Sequence, residues 1–436
     1  MSTPTFSPTR RTTLAGAATG LGALFTAAAC GGDGQEAPGS AEYSAPATDL
    51  SAKITYGLWD KNQVAGLQAN IDAFNQKYPN VEVALNVTPY SEYWTKLQTQ
   101  ASSGTLPDVF WMNGPNFQLY ATNEQIAPIT GAVDAGDIDP ANYPEALVDL
   151  YTFDDVRYGV PKDFDTIGVW CNTALFQRAG VELPTAEWTW AEFQDTAVRI
   201  SQALAADGIF GAAGGMDGQT TYYNTIFEAG GEVVEGGESG YASTESQEGL
   251  TFWTDLIARG GSPSIQQLTD TTADQWFTSG KLAMYWGGSW FRSALTDTDL
   301  ATGVQVLPLP MGVQQVTVIH GVANVVAASS KNQQAAQALQ VYLAGEEAQR
   351  QLGAAGAVIP AFTGTQDAFA ASMPGADLQL FLDAVDYSKP LPVSANTAAW
   401  NALETELLPD AFSGARPVGE VATELAAKMD EVLADE

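Results

Sequence analysis

The chain of 436 residues carries 51 acidic side chains against 18 lysines and arginines, a formal net charge of −33 that excludes nucleic acid and anionic lipid headgroups as partners. Apolar residues at 45% exclude an intrinsically disordered chain, and the length favours two or more domains over one. One histidine and two cysteines leave little scope for zinc chemistry, a histidine-based triad or a disulfide framework, so no metal or cofactor is expected and stability must come from a large core.

At the N-terminus, Arg10-Arg11 precede an uncharged apolar run from Leu14 to Ala29. That run is too short for a membrane span, which needs roughly 20 residues. Residues 1–29 resemble a bacterial export signal of the twin-arginine and lipoprotein type, with Cys30 lipidated and holding the chain on the outer face of the cytoplasmic membrane. Ala27 stands where such a signal usually has leucine. Residues 30–51 are Gly, Pro, Ser, Ala and acids without periodicity, and read as a flexible tether. Cys171 is then the one thiol left, an unreactive core residue.

Strand-like runs at 53–59, 81–87 and 107–112 alternate with helical spacing through Val64, Leu67, Ile71 and Phe74 and through Tyr93 and Leu97. This alternation predicts a parallel sheet covered by helices, an α/β fold whose ligands sit at the carboxyl ends of strands. Trp59-Asp60 and Trp111-Met112-Asn113 lie at such ends. Helices are expected from Trp188 to Leu204, Ser246 to Ile257, Thr272 to Ser279 and Asn332 to Leu343, and over most of the chain beyond Ala361. Strands are expected from Gly280 to the Gly287-Gly288 pair flanked by tryptophans, at 304–308 and at 316–327, and Gly208 to Gly218 reads as a glycine-rich turn.

Between these lies Tyr158 to Asn172. Thr166 to Trp170 is β-branched, glycine and aromatic, hence a strand, and Asp163 and Asp165 precede it. Residues two apart in an extended chain face one side. Both carboxylates therefore point together, and the segment is expected to cross between two lobes with Asp165 facing the cleft.

Four groups of residues carry a family resemblance: Tyr158-Gly159-Val160-Pro161 with Asn172 and Ala179-Gly180-Val181; Trp188-Thr189-Trp190 with Phe193; Phe277 to Trp290, including Gly280-Lys281-Leu282-Ala283-Met284 and Gly287-Gly288-Ser289-Trp290; and Leu307-Pro308-Leu309-Pro310 with Ala328-Ser329-Ser330-Lys331-Asn332. In this order they resemble the family 1 extracellular solute-binding proteins of ABC importers, the carbohydrate group that includes maltodextrin-binding proteins. The resemblance implies two interleaved α/β lobes of the periplasmic-binding-protein type, joined by hinge crossings. The first lobe is expected over 52–162 plus 304–345 and the second over 163–303 plus 346–436.

It further implies that Asp165 accepts sugar hydroxyls and that Trp290 lies under a pyranose ring, with Trp286, Trp59, Asp60, Trp111 and Asn113 around them. Gly287 and Gly288 are expected to let the backbone approach the ligand. Asp163 reads equally as a ligand group or a solvated acid, and His320 as a ligand group or a hydrogen-bonded strand residue. Core positions suit Trp170, Trp188 and Trp253, while Trp190 and Trp400 fit either role. Asp134, Asp137 and Asp139 lack the glycine and closing glutamate of a calcium loop, and Gly280-Lys281 lacks the hydroxyl of a phosphate loop.

The expected partners are a neutral mono- or oligosaccharide and the transmembrane subunits of an ABC permease, with the protein a lipid-anchored monomer and not an enzyme. Aromatic rings cover the C–H face of a pyranose, and Asp and Asn match its rim of hydroxyls. A secreted glycoside hydrolase would use similar residues, but its two carboxyls must flank the scissile bond. A binder of a polyol or a phosphodiester on the same fold is the other alternative.

Overall fold

The computed structural model describes residues 43–436 apart from Asp297. The expected export signal, the expected lipidation site Cys30 and the expected tether before Tyr43 lie outside the described residues. The last part of the tether is not free: the Tyr43 hydroxyl donates to Asp137 at 2.6 Å, and its ring packs against the apolar cluster around Ile129 and Ala132.

Fourteen strands run in order: β1 (Ala52–Leu58), β2 (Val81–Val87), β3 (Val109–Asn113), β4 (Thr152–Phe153), β5 (Val156–Arg157), β6 (Val160–Asp165), β7 (Ile167–Asn172), β8 (Val234–Glu235), β9 (Glu238–Ser239), β10 (Met284–Gly288), β11 (Val304–Leu307), β12 (Thr317–Val326), β13 (Ile359–Pro360) and β14 (Ser388–Pro390). The larger sheet has the order β13-β6-β12-β3-β1-β2, with β14 pairing the start of β12. Strands β1, β2 and β3 are parallel, as the helix–strand alternation predicts, and β12 runs antiparallel between β3 and β6. A second, three-stranded antiparallel sheet has the order β10-β7-β11. The two sheets nucleate two lobes.

Two segments fall on the other side of the expected boundary. Strand β11, placed by sequence at the start of the first lobe's return, pairs with β7 in the second sheet, where Val304 and Val306 turn into a core with Trp170. Four residues carry no record of their pairing partner, so order along the chain misassigned them. Likewise Glu346–Ala355 is a helix that packs on Val64–Lys77, with Asn70 Nδ2 donating to the Ala348 carbonyl at 3.1 Å. Beyond it β13 pairs with β6, so the larger sheet reaches past residue 345. The terminal helices Thr397–Phe412 and Val418–Leu433 bury Trp400, Leu408, Leu425 and Met429 in the core of the second lobe.

The chain passes from the larger sheet to the smaller within one residue. Strand β6 ends at Asp165, Thr166 follows, and β7 begins at Ile167; all thirteen residues from Val160 to Asn172 are buried. The Thr166 hydroxyl donates to the Phe381 carbonyl at 2.7 Å. Thr317, where β12 enters the larger sheet, accepts the Ile167 N–H on its hydroxyl at 2.9 Å. β14 pairs beside it, Thr317 opposite Ser388. Three passages of the chain are thus laced together at one place.

Strand β6 also contains a bulge. Asp163 pairs with Val322 and Pro161 with Ala323, leaving Lys162 without a partner residue. A bulge breaks strict alternation, and it brings the neighbouring Lys162 and Asp163 side chains together rather than on opposite faces.

Candidate functional site

Between the two lobes lies a cavity of about 820 Å³. Trp59, Asp60, Trp111, Asn113, Asp163, Asp165, Trp286, Trp290 and His320 line it, all anticipated from the sequence. Gly287 and Gly288 do not. A Cβ on Gly288 would stand 1.7 Å from the Trp290 ring, and one on Gly287 2.3 Å from the Tyr285 ring. These glycines make room for aromatic side chains folded back across the strand, not for a ligand.

The first lobe's contribution follows from its strand ends. Asp60, just past β1, accepts the Asn62 N–H at 2.9 Å and the Gln63 side chain at 3.2 Å. Asn113, the last residue of β3, accepts the Asn116 N–H at 3.3 Å and so caps the helix Gly114–Thr122. Trp59 is partly exposed and meets Trp111, Tyr93 and Tyr90 edge-on at 4.9, 5.1 and 5.6 Å between ring centroids. Trp111 itself is fully buried: its indole N–H donates to the Tyr56 hydroxyl at 2.9 Å and Lys162 Nζ sits 4.0 Å from its ring centroid. It backs the wall and supports Trp59.

The crossing supplies the floor. Asp163 is ion-paired with Lys162 and accepts the Val322 N–H at 3.0 Å; burial raises its pKa and the Lys162 ammonium opposes that rise. Lys162 Nζ also reaches Gln63 at 2.9 Å. Asp165 accepts from the Gln219 side chain at 2.7 Å. Burial, then the neighbouring Asp163 charge, hold its pKa well above the usual carboxylate range. His320, opposite Asp165 in the ladder, accepts the Gly114 N–H on Nε2 at 3.1 Å. Burial pushes its pKa down to about 3, so it is a neutral ring that ties β12 to a helix start.

In the second lobe, Trp290 is partly exposed to the cavity, whereas Trp286 is 3% exposed and wedged among Phe193, Phe252 and Trp253. Sequence reasoning placed both in contact with ligand; Trp286 is chiefly core. Several wall residues were not anticipated: Tyr90, Gln63, Asp217, Gln219, Thr220, Tyr285 and Ser289. Asp217 caps a short π-helix, Gly218–Tyr222, by accepting from the Thr220 N–H and hydroxyl, both at 2.8 Å. π-turns gather at functional sites, but they have no hydrophobic period to betray them. The available signal was Asp217-Gly218 with a hydroxyl residue, Thr220, three positions after the aspartate, at the end of the glycine-rich run.

A two-lobed α/β body with an aromatic and acidic cleft at its chain crossings is the build of a solute-binding protein. The sequence profile of the bacterial extracellular solute-binding protein family matches residues 59–350, and the chain belongs to that family. It is 24% identical over 305 residues to the galactooligosaccharide-binding protein of Bacillus subtilis, covering 66% of this chain and 68% of that one. With the arabinooligosaccharide-binding protein of Halalkalibacterium halodurans it shares 22% identity over 262 residues, 55% of this chain and 54% of the relative, so it spans about half that relative's length. The fold matches an ABC substrate-binding protein of Listeria monocytogenes solved with cycloalternan (TM-score 0.81, 22% identity, 88% of this chain and all of that one). It also matches the GacH receptor of Streptomyces glaucescens, with a TM-score of 0.79 at 22% identity over 89% of this chain and all of that one. No helix among the described residues is long and apolar enough to cross a membrane.

Proposed function

We propose that this protein is the extracellular receptor of an ABC sugar importer, taking a sugar or oligosaccharide into the interlobe cleft and presenting it to a membrane permease. The observation that carries this reading is the composition of the cavity wall. Trp59 and Tyr90 from one lobe face Trp290 and Tyr285 from the other, with Asp60, Asn113, Asp165, Gln219 and Thr220 between them. Rings suit the apolar faces of pyranoses, and carboxylates and amides suit their hydroxyls. A ligand touching both walls stabilises the closed arrangement by its differential affinity for it. The names of the relatives, which bind galacto- and arabinooligosaccharides, agree in substrate class.

The protein makes and breaks no bond in this reading. Asp163 and Asp165 share one strand and one floor, and Asp163 is occupied by Lys162, which suits a fixed acceptor more than a pair flanking a glycosidic bond. Residues 1–29 direct export and Cys30 carries the lipid that keeps the monomeric receptor beside its permease.

A thermal-shift screen of sugars tests the reading, since a ligand raises the melting temperature by mass action. A hit whose shift disappears in both Asp165→Ala and Trp290→Ala is the expected result. Turnover of an oligosaccharide by the purified protein, or a shift untouched by either substitution, would sink it. Metabolic labelling with a fatty acid, lost in Cys30→Ser, checks the anchor.

A further inference from the structure

The cavity wall holds five carboxylates, Asp60, Asp163, Asp165, Asp217 and Asp274, and neither a lysine nor an arginine. Lys162, buried beneath the floor, is already engaged by Asp163, Gln63 and the Trp111 ring. His320 is held neutral by its burial. Lys162 also acts on Asp165, whereas Asp60, Asp217 and Asp274 form no ion pair among the described residues.

Closing a cleft over uncompensated carboxylates is unfavourable, because desolvated charge needs a partner. A neutral sugar supplies hydroxyl donors but no charge. A metal ion does not match the spacing: no three His, Cys, Asp or Glu side chains among the described residues gather closely enough to hold one. The acids come from the first lobe (Asp60), the crossing (Asp163 and Asp165) and the second lobe (Asp217 and Asp274), as a positively charged organic ligand would meet them. The aromatic surround fits the same charge, since partly exposed Trp59, Tyr285 and Trp290 and the exposed Tyr90 present ring faces that attract cations.

Of the five acids, Asp217 alone is exposed. Its Oδ1 is used as the π-helix cap, and no protein group among the described residues engages Oδ2. Its charge acts on Tyr90 across the cleft, on Asp165 in the floor and on Tyr285 in its own lobe. The wall also holds Ser289, whose buried hydroxyl finds no partner among the described residues.

We infer that the cleft prefers a sugar bearing a basic amine over its neutral counterpart, with the ammonium drawn to Asp217 between the aromatic walls. This deepens the sugar-receptor reading and rests on it. Gln219, which donates to Asp165, is the group an incoming ammonium would relieve on the floor side.

Calorimetry on the whole chain with six probes tests it: glucosamine, N-acetylglucosamine and glucose, and the β-1,4 dimers of each. These differ only in carrying an amine, an acetamide or a hydroxyl at C2 of each ring. The expected result is binding about tenfold or more tighter for an amine than for its two matched partners, weakening with added salt. Asp217→Asn should abolish that preference; asparagine keeps the Oδ1 that caps the π-helix, so an unchanged apo melting temperature certifies the fold. Equal or tighter binding of the acetamide or hydroxyl sugars overturns the amine preference and leaves the sugar-receptor reading standing. Binding of none of the six overturns the amine preference and leaves the receptor reading to the sugar screen, and spermidine binding in that case would mark a cation site that is not a sugar site.

Discussion

Lys162 is 2% exposed, which is rare for a lysine. It is tolerated because a carboxylate, an amide and an indole face all converge on it. Removing it would strand Asp163 in the interior, so Lys162→Met should destabilise the protein by about 3–5 kcal/mol. The double variant Lys162→Met/Asp163→Asn should recover most of that loss in chemical denaturation; equal instability of the two would show that the pair is not coupled. Glu404 gives a separate residue-scale prediction. It accepts the hydroxyls of Tyr222 at 3.1 Å, Tyr223 at 2.9 Å and Tyr241, yet burial pushes its pKa up to about 7 from 4.5. Between those values the folded chain keeps a proton that the unfolded chain releases, so this group's stabilisation is full below pH 4.5 and falls as pH rises to about 7. The fall amounts to about 3 kcal/mol. Glu404→Gln should lack that component, and unfolding curves across pH 4 to 8 with identical slopes for both proteins would refute it.

The elements divide into those a sequence announces and those it hides. Strands β1, β2 and β12 and the helices from Val64, Gln333 and Trp190 are long enough for periodicity to show, and Asp165 was legible because a buried strand begins two residues later. The strand-end aromatics Trp59 and Trp111 followed from the parallel order. What stayed hidden depends on partners far along the chain: the sheet that β11 joins, the bulge at Lys162, the π-helix carrying Asp217, and which tryptophan of a close pair is core. Trp286 and Trp290 are separated by Gly287, Gly288 and Ser289, and Gly288 leaves the room in which the Trp290 ring folds back over the strand. Gly288→Ala should therefore push the Trp290 ring out of place, reducing sugar affinity about tenfold or more with a smaller effect on melting temperature than Trp286→Ala. Trp286→Ala empties a core position and should cost about 3–5 kcal/mol. Reversed effects would invert the roles assigned to the two rings.

At the scale of the whole molecule, the three laced passages give the lobes a common root while leaving the cavity open elsewhere. A ligand that bridges Trp59 and Trp290 should draw the lobes together, so small-angle scattering should show a smaller radius of gyration with saturating sugar. An unchanged radius would mean that the cleft binds without closing. The acidic surface bears on this too: with a formal charge of −33 the lobes repel each other, and added salt should make closure easier even where it weakens the hold on an amine.

Thr166 leaves a single residue between the two sheets, and Asp165 is its neighbour. In a rotation about that point, displacement grows with distance from it, so Asp165 hardly moves while Trp59, Tyr90 and Trp290 swing. The acid therefore keeps the same attitude toward the cavity before and after closure, and the rings meet across the ligand only afterwards. Arrival and residence become separable in time. Removing Asp165 should slow association, removing Trp290 should quicken escape, and stopped-flow fluorescence on the two variants would read the order in which the cleft takes hold.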